Sequence, residues 1–323
     1  MTGTNSNRLG TEEWPLIGAE AISKNGLKVL RRRSNGPGLA YLGVHLLALL
    51  AGGLLVHFSL GTWAIVPAMF IHGTVLVLLF APLHECSHFT AFRSRWLNYA
   101  VGLFAAILTM RPFFYFKWRH AEHHTFTQHL QKDPDLVPFP ATLKDYLRLI
   151  LGAEFWPKML GTVWRGITGR FTARELSFIP ASDVRRVSWE IRLTMLLYLL
   201  IAAASVALHS WAAVVYWLLP RLLGEPVLRA IRMAEHTGTE QSPNLLRNTR
   251  TTLANPLFCM LYWNMPFHAE HHVASSVPFH ALRRLHAELR PHLTNVASSY
   301  WAVHKAIVME VVTSQRAKRL AAH

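Results

Sequence analysis

Three clusters of histidine are the residues in this sequence most suited to chemistry: His84-Glu85-Cys86-Ser87-His88, and the pentapeptide His-Ala-Glu-His-His at 120–124 and again at 268–272. With 19 histidines in the chain, the pattern His-x-x-His-His is expected about 0.07 times by chance, and it occurs twice. On a helix, residues three and four apart share a face, and adjacent histidines point about 100° apart. Each pentapeptide could therefore reach two metal ions. Eight imidazoles exceed the needs of one tetrahedral zinc, so the clusters predict two ions of the kinds that imidazole favours: Fe, Zn, Cu or Ni.

Further polar residues accompany the clusters. His236, in Ala-Glu-His-Thr-Gly, is a ninth candidate ligand. Each cluster also carries a glutamate, and histidine ligands usually donate their second ring N–H to a carboxylate. We expect such supporting roles, rather than those of solvated helix-face residues, for Glu85, Glu122, Glu235 and Glu270.

Two aspartates follow the second cluster. Asp133 and Asp135 either support the metal ligands in the same way or belong to an Asp-Pro turn that ends a helix.

Charge is distributed very unevenly along the 323 residues, of which 51% are hydrophobic and 16% charged. No Lys, Arg, Asp or Glu occurs between Arg33 and Glu85, or between Arg192 and Arg221. A bilayer-crossing helix needs about 20 apolar residues, so the first stretch can hold a transmembrane hairpin, and the second can hold one only if the polar ends of its helices extend into the flanking residues. The expected spans are 38–58, 62–83, 186–207 and 211–233.

The net charge of +15 is better explained by membrane topology than by nucleic-acid binding, because the basic residues form no long run with interleaved aromatics. The two hairpin tips, at 57–61 and 209–211, contain no Lys or Arg. Excess Lys and Arg marks the cytoplasmic face, so all the histidine clusters should lie there. Cys86 and Cys259 would lie on the same side, and no disulfide framework is expected.

The predicted fold is an all-α membrane protein with four transmembrane helices in two hairpins and a cytoplasmic helical cap that holds a histidine-rich dimetal site. Residues 96–110 are apolar but too short to span, and predict a re-entrant or interfacial helix. We divide the chain into an N-terminal cytoplasmic segment (1–37), a membrane domain (38–290) and a basic amphipathic C-terminal segment (291–323).

These motifs resemble those of the integral-membrane fatty acid desaturase and hydroxylase superfamily, in its bacterial branch. The resemblance extends over about residues 40–290 and is carried by 84–88, 119–125, 235–236 and 264–272. It implies two iron ions, with O₂ as co-substrate. The implied iron ligands are His84, His88, His120, His123, His124, His236, His268, His271 and His272.

The resemblance further implies a desaturase that introduces a double bond into an aliphatic chain, with a fatty acyl lipid as the expected substrate. The haem-binding motif His-Pro-Gly-Gly is absent from these residues, so we expect electrons from a separate ferredoxin, Rieske or cytochrome b5-like protein and its reductase. The expected location is the bacterial inner (cytoplasmic) membrane, with the active site on the cytoplasmic side. The alternative is a hydroxylase or monooxygenase of the same superfamily that acts on a hydrocarbon, carotenoid or small metabolite. The first cluster leans toward that alternative, because only three residues separate its histidines.

Two other classes are more distant. The first cluster matches His-Glu-x-x-His, in which Glu85 would be the general base of a zinc membrane protease. That interpretation leaves both pentapeptides unexplained. A transporter or other metal-binding membrane protein would need neither O₂ nor electrons.

Overall fold

The computed structural model describes residues 14–320, with side chains to residue 317, and this part of the chain is almost wholly helical. Its only strands are two short ones, Thr251–Thr252 (β1) and Val296–Ala297 (β2), which pair in parallel. The α-helices are Lys24–Leu30 (α1), Gly36–Phe58 (α2), Ile65–Val77 (α3), Phe80–Ser87 (α4), Arg95–Thr109 (α5), Phe113–Thr125 (α6), Leu143–Ile150 (α7), Phe155–Thr168 (α8), Ala173–Phe178 (α9), Ala181–Ala207 (α10), Leu219–His236 (α11), Pro256–Leu261 (α12), His268–Val273 (α13), Leu282–Leu289 (α14) and Tyr300–Leu320 (α15). Short 3₁₀ helices lie at Ala19–Ala21 and Phe279–Ala281, and a π-helical segment at Val214–Leu218.

Three helices are long and apolar enough to cross a membrane within the described residues: Gly36–Phe58, Ile65–Ser87 and Ala181–Ala207, with mean hydropathies of 2.1, 2.0 and 1.7. The second comprises α3 and α4. A helix of 23 residues is about 35 Å long, which exceeds the roughly 30 Å hydrocarbon core of a bilayer. The first and last are mostly exposed along their length, as expected of helices that contact lipid. The structure therefore confirms a membrane-type helical architecture.

The short apolar segment forms a helix, Arg95–Thr109, that is bent by 98° against the next helix, Phe113–Thr125. Met110 ends α5 with φ 56°, and Pro112 precedes α6. Proline disfavours a helical conformation in the residue before it. The two helices therefore form either one broken span or a re-entrant loop. If they form one broken span, the number of candidate spans rises to four.

The fourth predicted span, at 211–233, is helical but is not among the apolar spans. A π-helical segment is followed by α11, which contains the buried Arg221 and Glu225. The charge-free stretch ends at Arg221, so an apolar window of sufficient length does not exist here. The expected pair of hairpins is thus found only in part.

Helices α3 and α11 touch through their backbones. A Cβ atom added to Gly73 would lie 1.9 Å from the carbonyl oxygen of Pro220, and one added to Gly224 would lie 2.2 Å from the carbonyl oxygen of Gly73. Beside this crossing, His72 Nε2 donates to the carbonyl oxygen of Tyr216, at 2.9 Å. His45 Nε2 likewise donates to the carbonyl oxygen of Val75, at 2.9 Å. Both histidines are thus buried groups that use one ring nitrogen each, while their Nδ1 atoms have no hydrogen-bond partner among the described residues.

The C-terminal helix packs on the helix that carries His236. Val303, Ile307 and Val311 of α15 are buried, and the first two join Met233 and Ala234 of α11 in one apolar cluster. The C-terminal segment expected at 291–323 thus includes α15, which packs against the protein.

We predict that Gly73→Ala lowers the melting temperature of the detergent-solubilised protein sharply, because the added methyl group would overlap the Pro220 carbonyl. Overpacking of this kind costs about 1–3 kcal/mol or more. Gly43→Ala is the matched control, since nothing lies within 4 Å of its added Cβ. Equal melting temperatures for the two variants would contradict the close crossing.

Candidate metal centre

The ends of four helices bring the histidines together. His84 lies near the end of α4 and His88 is its C-cap residue. The second cluster forms the last turns of α6, the third cluster forms α13, and His236 is the last residue of α11. Because adjacent helical residues diverge by about 100°, each pentapeptide contributes to both of two neighbouring groups.

Five histidines form the first group. The Nε2–Nε2 distances are 2.7 Å for His84–His271, 3.1 Å for His84–His120, 3.0 Å for His120–His124 and 3.1 Å for His124–His271. The His88 ring lies 4.7–4.8 Å from the rings of His120, His124 and His271. Its Nε2 is buried and has no hydrogen-bond partner among the described residues.

Four histidines form the second group. The Nε2–Nε2 distances are 3.3 Å for His123–His236, 3.1 Å for His236–His268 and 3.2 Å for His268–His272. Two nitrogens about 2.1 Å from one ion and about 90° apart would lie about 3.0 Å from each other. Both groups therefore have the spacing of nitrogens around a metal ion.

The protonation states of four of these histidines fit metal binding as well, whereas for His123 burial lowers the pKa but Asp133 outweighs it and raises the pKa above its usual value. Burial, followed by the neighbouring histidines, lowers the pKa of His268, His271 and His272 well below the usual value. Burial also lowers the pKa of His236. Neutral imidazole is the form that coordinates a metal. Two neutral imidazoles whose Nε2 atoms face each other share at most one hydrogen bond, whereas a cation between them would satisfy every lone pair.

Two ligand candidates have their tautomers fixed by neighbours. His123 Nδ1 donates to Asp133 Oδ1, at 2.8 Å. The Thr127 hydroxyl donates to the His123 carbonyl oxygen, at 2.8 Å, and so accepts from His272 Nδ1, at 3.1 Å. With the proton on Nδ1, the Nε2 lone pair of each ring faces the other histidines. This assignment follows from the hydrogen-bond network.

Glu85 lies behind the first group. Its Oε1 is 3.7 Å from His271 Nδ1, and its Oε2 accepts from Thr90 Oγ1, at 2.8 Å, and from the Phe279 backbone N–H, at 3.2 Å. The 3.7 Å separation is longer than a hydrogen bond, and neither Glu85 Oε1 nor His271 Nδ1 has a hydrogen-bond partner among the described residues. The supporting role of Glu85 therefore stays a prediction.

Glu235 lies beside the second group, on the side where the ring nitrogens face one another. Its Oε2 is 3.6 Å from His268 Nε2, the nitrogen that faces His236, and its Oε1 accepts from Tyr262 Oη, at 3.2 Å. Burial raises the pKa of Glu235 to about 7. Its carboxylate thus stands among the candidate ligand atoms rather than behind them.

The other two glutamates are placed elsewhere than we expected. Glu122 lies 4.0 Å from Arg174 Nη1. Glu270 accepts from Thr251 Oγ1, at 2.6 Å, and contacts His286 Nδ1. Among the described residues, these contacts involve none of the nine histidines.

Sequence reasoning missed Thr127 and left Asp133 undecided. Thr127 lies four residues after His123, just beyond the end of α6, and this spacing was the available signal. Asp135 does not contact a histidine in the site; it pairs with Arg119, at 2.6 Å, and Arg232, at 3.1 Å. Burial opposes its ionisation, but Arg119 and then Arg232 hold the pKa of Asp135 well below its usual value.

The chain matches the model of the fatty acid desaturase family over residues 60–304, which is more than half of its length. The chain belongs to the fatty acid desaturase family. It is therefore an oxidoreductase, and the zinc protease interpretation of the first cluster is not needed. His84 and His88 share one group with three histidines from the two other clusters.

Three relatives are identical to the chain at about a quarter of the aligned positions. It is 24% identical over 263 residues to the sn-1 oleoyl-lipid 12-desaturase of Picosynechococcus sp., covering 74% of this chain and 73% of that protein. It is 24% identical over 248 residues to the enzyme of the same name from Synechocystis sp., covering 71% and 69%. The omega-6 fatty acid desaturase, endoplasmic reticulum isozyme 1, of Glycine max is 27% identical over 208 residues, covering 56% and 50%.

We predict that Asp133→Ala weakens iron retention, because His123 would lose the acceptor that fixes its tautomer. Loss of such a partner typically lowers metal affinity by about 10–100-fold. The measurement is iron per chain after dialysis against graded chelator concentrations. Asp183→Ala, at the start of α10, is the control. Identical chelator curves for the two variants would refute this role of Asp133.

Proposed function

We propose that this protein is a membrane diiron desaturase that inserts a double bond into the acyl chain of a lipid. It would consume O₂ and take electrons from a separate ferredoxin-type carrier. The observation that carries the proposal is the pair of adjacent histidine groups, in which nine Nε2-bearing rings from four helix ends meet at metal-ligand spacing. The names of the cyanobacterial relatives support a lipid-bound acyl chain as substrate.

We assign one iron to each group. The first iron would be held by His84, His88, His120, His124 and His271, and the second by His123, His236, His268 and His272. All-imidazole donor sets suit iron. When bound, the iron pair would supply O₂ activation and hydrogen abstraction from an unactivated C–H bond.

The protein's own residues hold that chemistry in place. Asp133 and Thr127 keep the Nδ1 protons of His123 and His272, so that both Nε2 lone pairs are available. Glu85 offsets positive charge beside His271. His271 is fully buried, and this burial excludes water from the site.

The membrane arrangement that we propose keeps all nine histidines at the cytoplasmic face of a bacterial inner membrane. The helices Ile65–Ser87 and Leu219–His236 each deliver a ligand at their C-terminal end. Both hairpin tips are free of Lys and Arg, which favours tips on the outer side. On this basis 38–290 would form the membrane domain, with 1–37 and 291–323 on the cytoplasmic side.

We predict that cells that express this protein together with a ferredoxin and its reductase form lipids two mass units lighter than their precursors. The product should depend on O₂ and on reductant. His271→Ala should abolish it and lower the iron content, because His271 lies within 3.1 Å of two other candidate ligands. His292→Ala, an exposed histidine outside both groups, is the matched control. The measurement is mass spectrometry of extracted lipids.

Other outcomes would replace the proposal. A gain of sixteen mass units would assign the protein to the hydroxylases. Survival of the product in His271→Ala at unchanged iron content would refute the ligand set.

A further inference from the structure

A cavity of about 510 Å³ lies between α6, α8 and α11 and is lined by His236, a proposed ligand of the second iron. Cavities of this size commonly hold small ligands. Seven Lys or Arg residues line it, against three Asp or Glu residues. Its apolar lining includes Val137, Met159 and Met233. Such a lining suits an amphiphile with an anionic end.

The positive charge in its wall is not balanced by the buried carboxylates. Glu225 is 1% exposed and pairs with three guanidinium groups. The distances are 3.1 Å to Arg111 Nη2, 2.6 Å to Arg221 Nη1 and 2.6 Å to Arg229 Nε. Two of these arginines, Arg111 and Arg229, line the cavity. Uncompensated buried charge is costly, so a further anion would stabilise this group.

The same wall of the cavity contains a second excess of positive charge. Asp135 pairs with both Arg119 and Arg232, and all three line the cavity. Five arginines thus share two carboxylates, which leaves a net charge of +3. The proposed iron pair beyond His236 would add to this positive field.

Donor groups in this wall are also unused. Arg111 is 4% exposed, and its Nε has no hydrogen-bond partner among the described residues. The same holds for Arg229 Nη2 and Arg232 Nε. Phe155 keeps two of these guanidinium groups in place, since their Cζ atoms lie 4.3 Å (Arg111) and 4.2 Å (Arg229) from its ring centroid. Fixed guanidinium donors recognise carboxylate and phosphate oxygens.

We infer that this cavity binds the anionic headgroup of the lipid substrate, whose phosphate or carboxylate oxygens accept the unused guanidinium N–H groups. This inference rests on the proposed function and deepens it, because it names an anionic lipid as the substrate class. The hydrocarbon part of the same molecule would extend along the apolar lining toward His236.

The test is equilibrium retention of radiolabelled lipids by the purified, iron-loaded full chain in an uncharged detergent. The probes are dioleoyl-phosphatidylglycerol, oleate and the zwitterionic dioleoyl-phosphatidylcholine. We expect at least one anionic probe to bind about tenfold more tightly than phosphatidylcholine, which corresponds to one or two charge-assisted hydrogen bonds. Preference for phosphatidylglycerol identifies a phosphate as the recognised group, and preference for oleate identifies a carboxylate.

Arg229→Gln should remove this preference while the protein stays folded, because Arg111 and Arg221 remain paired with Glu225. Arg247→Gln is the matched control, since Arg247 is exposed, pairs with Glu240 and does not line the cavity. If Arg229→Gln fails to fold, Arg119→Gln replaces it. Arg119 is 32% exposed, and its loss leaves Arg232 on Asp135.

Equal binding of anionic and zwitterionic lipids by the unmodified protein would overturn the inference. So would an unchanged preference in the folded cavity variant. Retention is measured without turnover, so these failures would leave the proposed desaturation standing. A protein that binds anionic lipid selectively but forms no alkene would refute the proposed function alone.

Discussion

The main constraint on the structure is the free-energy cost of burying nine imidazoles whose Nε2 atoms point at one another. In the absence of a cation, each Nε2 can take part in only one hydrogen bond, whereas the Nε2 atoms of His84, His120, His124 and His271 each face two others. Some of these contacts therefore go unsatisfied, and buried polar groups without partners are destabilising. The surrounding helices must therefore supply enough rigidity to hold the rings in this arrangement. Asp133 and Thr127 contribute directly by fixing two rings. A site of this kind is preorganised by the fold, and its metals would in turn stabilise the fold.

The close crossing of α3 and α11 contributes to that rigidity. Gly73 and Gly224 allow the two backbones to touch. Eleven residues separate Gly73 from His84, and twelve separate Gly224 from His236. The path from Gly224 to His236 is one α-helix and is about 18 Å long, whereas the path from Gly73 to His84 passes from α3 to α4 through Leu78 and Leu79. Glu225, beside the crossing, pairs with three guanidinium groups and so offsets part of their buried charge.

Much of the architecture was predictable because it follows from local patterns. The histidine spacings, the charge-free stretches and the short 96–110 segment each depend on residues close together in the sequence. The placement of the glutamates was not predictable in this way. Glu122 and Glu270 occupy equivalent places in the same pentapeptide, yet Glu122 lies beside Arg174, and Glu270 contacts Thr251 and His286. Such contacts depend on tertiary packing. The fourth helix was assigned as a span because its polar end was expected to extend beyond the charge-free stretch, which ends at Arg221.

The π-helical segment Val214–Leu218 makes the orientation of the residues on α11 depend on the exact number of residues before it. A π turn accommodates one residue more than an α turn, so everything after it is rotated by about 100° relative to an uninterrupted α-helix. The faces on which Arg221, Glu225 and His236 lie are consequences of that extra residue. A homologue that lacked the extra residue could keep every motif described above and still direct the residue equivalent to His236 away from the other histidines. Alignments within the family should therefore be judged by whether they preserve the number of residues between Trp211 and His236, as well as the motifs themselves.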